Sequence, residues 1–214
     1  MEPDWAAENL QVIRTLMERS AIYRRTLAPV MLLSGLVGLA AAAAGWSLGY
    51  VSPRSFVTYW LAVSVVPLVG TFLLVRRQAF KAGEPLWSLP TRRVIQAALP
   101  CLFSGLVISG VAAVHLRSGP GQELSEAIGL RWLPVGWVIL YGCAIHAAGF
   151  FMPRGIKLFG WSFIVGGCAL FALGAGLPCP PAQFAYGVMA LFFGALHLAY
   201  GIYLYFTEKR KNAA

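Results

Sequence analysis

Charge is what the apolar stretches of this sequence lack. Aspartate, glutamate, lysine and arginine make up 12% of the 214 residues, about half the share of an ordinary soluble domain. Six apolar stretches lie at 27–48, 56–75, 94–116, 132–152, 156–177 and 183–206, and among them they hold one charged residue, Lys157, at the mouth of the fifth. Carboxylates and cations within a membrane usually line proton relays and ion pathways, and acid–base work calls for paired carboxylates or a carboxylate–histidine pair. The equipment of a proton-coupled pump or an intramembrane metalloprotease is therefore missing.

Other absences narrow the chemistry further. The 4 cysteines form no CxxC pair, which leaves neither a disulfide framework nor a thiolate metal site. Cys101, Cys143 and Cys168 lie in apolar runs and read as small buried hydrophobes, while Cys179 sits in the turn PCPP. Ser34, Ser64, Ser104, Ser109 and Ser162 lie in apolar stretches without a G-x-S-x-G element. The connectors at 76–93 and 117–131 lack the glycine spacing and lysine of a phosphate-cradling loop. The sequence reads as that of a non-enzyme.

What is present is apolar length. Hydrophobic residues make up 58% of the chain, and each stretch is close to the ~20 residues a helix needs to cross ~30 Å of hydrocarbon. The stretches lack the alternation of a lipid-facing barrel strand. The expected fold is all-α, a polytopic integral membrane protein of six transmembrane helices preceded by an amphipathic helix.

That first helix is expected over residues 1–26. Trp5, Leu10, Val12, Ile13, Leu16, Met17 and Tyr23 fall on one half of a helical wheel, and Glu8, Gln11, Arg14, Glu18, Arg19 and Arg25 on the other, with Asp4 as N-cap. A long, acid-containing lead of this kind is unlike the short basic one of a signal peptide. The mixed charge suits packing on a protein, either a second copy or another partner, as well as it suits headgroups.

The net charge of +9 is a topology signal, not a nucleic-acid footprint, because the basic residues lie between apolar segments. Of the 17 lysines and arginines, Arg54, Arg117 and Arg131 fall on one side of the expected membrane and the rest on the other, including Lys209, Arg210 and Lys211 in a basic tail at 207–214. By the positive-inside rule both termini are cytoplasmic. With no transit peptide visible, the plasma membrane is the expected location.

Small residues fall in register within the stretches. The third carries Ala97, Cys101, Gly105, Ser109 and Ala113; the fifth carries Gly160, Gly167 and Gly174; the sixth carries Gly187, Ala190, Gly194 and Gly201. Such stripes let helix backbones approach closely. Pro67, in the middle of the second stretch, removes a helical hydrogen bond there. A faint repeat links the stretches: SGLV at 34–37 returns at 104–107, and Leu140, Ala144, His146 and Ala148 return as Leu191, Ala195, His197 and Ala199. Repeated hairpins of this kind occur in transport folds.

Histidine is the remaining chemical candidate. All 3 lie in apolar stretches, His115 at the end of the third beside Arg117. His146 and His197 each lie 14 residues beyond the start of their stretches, which places them at one depth, ~21 Å in at 1.5 Å per residue. Gly142 and Gly149 flank His146, and His197 lies on the small-residue stripe of the sixth stretch. Both side chains are expected to point into the bundle. Two imidazoles at one depth suit a bis-histidine haem, fall short of the four ligands of a closed zinc site, and equally suit histidines hydrogen-bonded between helices. The primary expectation is a non-enzymatic membrane component, structural, sensory or regulatory, acting through a partner. The alternatives are a haem- or metal-binding membrane protein using His146 and His197, and a facilitator of small neutral solutes built from hairpin repeats.

Overall fold

The structure, a computed structural model, describes residues 26–83, 85, 87–117, 119–152, 154–176 and 178–213. The amphipathic helix expected over 1–26 lies almost wholly outside them. Every regular element among the described residues is helical, and six helices are long and apolar enough to cross a membrane. They are α1 (Thr26–Ser47), α2 (Pro53–Ala82), α3 (Leu89–His115), α4 (Glu123–Phe151), α5 (Arg154–Leu173) and α6 (181–213).

Several helices overrun the apolar stretches that predict them, because good helix formers such as Arg, Gln, Lys and Ala continue a helix past its apolar part. Thus α2 extends through Arg76, Arg77 and Lys81. It is bounded by local chemistry: the Ser52 hydroxyl accepts the Ser55 N–H at 3.2 Å, Pro53 occupies the first turn, and Gly83 ends the helix at φ 65°. A glycine adopts that left-handed conformation without a Cβ penalty. The helix runs on through Pro67.

At its start, α4 departs most from its apolar stretch. Glu123–Ala127 forms an α-helical turn that joins the main helix through a π-helical turn at Ile128–Trp132. Pro134 explains the widening. Its ring crowds the carbonyl four residues back and it has no N–H to donate; the wider turn lets the Leu133 N–H reach the Ile128 carbonyl instead.

Four helices form the core. Leu27 and Met31 of α1, Val135 and Val138 of α4, Ile156, Phe159 and Phe163 of α5, and Phe184, Val188 and Phe192 of α6 make one buried cluster. The small-residue stripes set how closely these helices approach. A Cβ added to Gly160 of α5 would lie 2.7 Å from the backbone N of His146 in α4, and one on Gly201 of α6 would lie 2.8 Å from the backbone N of Leu32 in α1. Gly38 of α1 packs equally tightly on the Phe193 carbonyl.

The other two helices flank this core. The start of α2 builds a second buried cluster, in which Phe56, Val57 and Trp60 join Ala41 of α1, Leu133 of α4 and Tyr186 of α6, and the Tyr59 hydroxyl donates to the Ala41 carbonyl of α1 at 2.7 Å. The stripe of α3 turns towards α4, where the Trp137 indole N–H donates to the Ser109 hydroxyl at 2.8 Å. Apart from these and a few smaller contacts, such as Gly70 against Leu33 of α1 and Gly105 against Leu140 of α4, both helices are largely exposed. Of the most apolar 18 residues, 11% are buried in α2 and in α3, against 44% in α4.

Arg131 ties the α5–α6 connection to α4. Its guanidinium donates to the carbonyls of Gly174, at the end of α5, and of Cys179, the latter at 2.8 Å, and lies 5.2 Å from the Phe184 ring centroid. A cation is well placed on the carbonyls that end a helix. Arg131→Met is expected to cost about 2 kcal/mol, the scale of hydrogen bonds to a charged group, read as a lowered Tm of the purified protein; an unchanged Tm would remove the clamp.

Candidate functional site

The site is built around α6. Its middle, Ala190–Leu196, is a π-helical turn, and His197 follows it directly. The wider winding brings the Phe192 carbonyl within 2.9 Å of His197 Nδ1. A carbonyl only accepts, so Nδ1 carries the proton and donates. A charged imidazole enclosed in this way would go uncompensated, so Nε2 is the bare acceptor of a neutral ring, and the Tyr141 hydroxyl of α4 donates to it at 2.8 Å. The imidazole is neutral, in one tautomer, with both nitrogens used.

Aromatic rings enclose it. Phe159 and Phe163 of α5 present edge-to-face contacts, with centroids 5.1 and 5.4 Å away, and Phe193 stacks at 6.1 Å. His197 is left 2% exposed. Such a group is a satisfied interhelical link: it has no lone pair open to a metal or a proton donor, and no exposed edge to meet a substrate.

His146 has a different setting. Its backbone lies against Gly160, and Gly142 and Gly149 pack on α5 instead of making room for the ring. The imidazole is thereby turned to the rim of the α4–α5 hairpin, where it is half-buried and meets the edges of Phe150 and Trp161, both with centroids 5.4 Å away. Its Nδ1 is 3.5 Å from the Lys157 carbonyl, a long contact. Trp161 is 200° around α5 from Phe159 at 100° per residue, so α5 stands between the two histidines. His197 is buried in the bundle as expected; His146 is not directed there with it. In this arrangement the two imidazoles do not fit the two axial positions of one haem iron.

His115 ends α3, exposed. Tyr141 is the site residue that sequence reasoning passed over. The signal was there, because a tyrosine hydroxyl in the middle of an apolar helix needs a partner, and a histidine on another helix is the natural one. No protein-family model, curated protein or solved structure matches this chain.

Proposed function

We propose that this chain is a non-enzymatic, six-span component of the plasma membrane, with both termini cytoplasmic, that acts by associating with a partner protein or a second copy. The observation that carries this reading is the use of polar groups inside the bundle. Among the described residues Thr26, Ser109 and His197 are the buried polar side chains, and each is bonded within the protein. The Trp60 indole N–H has no hydrogen-bond acceptor among the described residues, but the rings of Phe56, Tyr59 and Tyr186 surround its side chain, and a ring face is a weak acceptor. A core of this kind offers packing, not reactivity.

The surface supports the same reading. The uncovered flanks of α2 and α3 leave area for a neighbour within the bilayer, and the amphipathic pattern of residues 1–26 offers a second contact on the cytoplasmic side. The distribution of Lys and Arg supports the orientation.

The test is cross-linking in native membranes followed by purification, on the full chain and on a chain lacking residues 1–26. A discrete cross-linked species, lost or strongly reduced by the deletion, is the expected result. A full chain that cross-links to nothing, itself included, would contradict the proposal.

A further inference from the structure

The rim of the α4–α5 hairpin gathers three polar atoms that the fold leaves unused. Lys157 Nζ sits 3.8 Å above the Phe150 ring centroid, and among the described residues no carboxylate pairs with it. His146 packs on the same Phe150 ring, 5.4 Å between centroids. With Nδ1 turned to the Lys157 carbonyl, its Nε2 bonds to no described residue and is free to take a ligand hydroxyl. Trp161, 49% exposed, closes the cluster with an indole N–H that bonds to no described residue. Phe150 and Leu158 beside it are 63% and 72% exposed. A cation, an acceptor and a donor thus share one apolar outer face, within two turns of the tip of the hairpin.

We propose that His146, Lys157 and Trp161 form a headgroup site for an anionic phospholipid bearing a headgroup hydroxyl. The Lys157 ammonium takes the phosphate, a lipid hydroxyl donates to His146 Nε2, and the Trp161 N–H donates to a phosphate or ester oxygen. The acyl chains run inward along the exposed face of α5, past Leu158 and Val165, which a free phosphate ion would leave unused. Basic pockets between helices at the cytoplasmic leaflet suit such headgroups, and an indole is at home at that depth. The inference rests on the six-span reading with Lys157 on the cytoplasmic side.

The test uses the full chain, first extracted with alkaline carbonate and then purified in detergent for native mass spectrometry with added lipid. Phosphatidylglycerol is expected to stay bound where phosphatidylcholine does not. Phosphatidylmethanol, equal in charge but without the hydroxyls, is expected to bind more weakly to the wild type and equally to His146→Phe. Lys157→Ala should lower phosphatidylglycerol retention about fivefold, the worth of one basic residue near an anionic surface, and Lys157→Arg should restore it. Unchanged Tm values would show that the variants fold. Equal retention of phosphatidylglycerol by wild type and Lys157→Ala, or its displacement by millimolar inorganic phosphate alone, overturns the headgroup site. Release of the chain by carbonate overturns the six-span reading itself, a separate result.

Discussion

Gly160→Leu is expected to prevent stable assembly of the α4–α5 hairpin. A Cβ at this position would sit 2.7 Å from the backbone N of His146 and 2.9 Å from its Cα. Both are main-chain atoms of a helix, so neither can swing aside as a side-chain tip would. Overpacking a core costs about 1–3 kcal/mol where side chains can adjust; a clash with rigid backbone, multiplied by the branched leucine, should exceed about 3 kcal/mol and approach the whole stability of the bundle. Size-exclusion profiles and thermal melts in detergent would read this as aggregation or a collapsed Tm. Gly136→Leu is the control, because a Cβ there meets nothing within 4 Å. If the two variants behave alike, the close approach of α4 and α5 is wrong.

His197→Ala carries the second large effect. The substitution empties a space bounded by Tyr141, Phe159, Phe163 and Phe193 and leaves the Tyr141 hydroxyl and Phe192 carbonyl without the partner they have here. Truncating a large buried ring costs about 3–5 kcal/mol, and each stranded polar group adds to it. Tyr141→Phe keeps the ring and removes one hydrogen bond, so about 1–2 kcal/mol is expected. His146→Ala, at the half-buried rim, should cost less than about 1 kcal/mol, the range of surface positions. A thermal-melt series that ranked His146 above His197 would reverse the assignment of the core histidine.

That difference shows how far the sequence could be read. Six apolar helices were legible because each stretch alone has the length and composition, whatever its neighbours do. The burial of His197 was legible from the stripe of Gly194 and Gly201, which lie against Leu39 and Leu32 of α1. The direction of His146 was not, although it echoes the same sequence pattern. Gly142 and Gly149 looked like space beside a ring, but a glycine gap is filled by whichever backbone packs there, and α5 fills this one. The π-helical turn before His197 was equally hidden: no proline marks it, unlike the turn before Pro134, and it depends on contacts between helices that are distant in sequence.

In this structure His197 is a closed, neutral link with its proton on Nδ1, a state that nitrogen-15 NMR of histidine-labelled protein in lipid reads when wild type is compared with Tyr141→Phe. The expected spectrum shows one histidine with a protonated Nδ1 and an unprotonated, hydrogen-bonded Nε2, and the Nε2 resonance shifts when the tyrosine hydroxyl is removed. A His197 protonated on Nε2, charged, metal-bound, or indifferent to Tyr141→Phe would contradict it and return the site to chemistry.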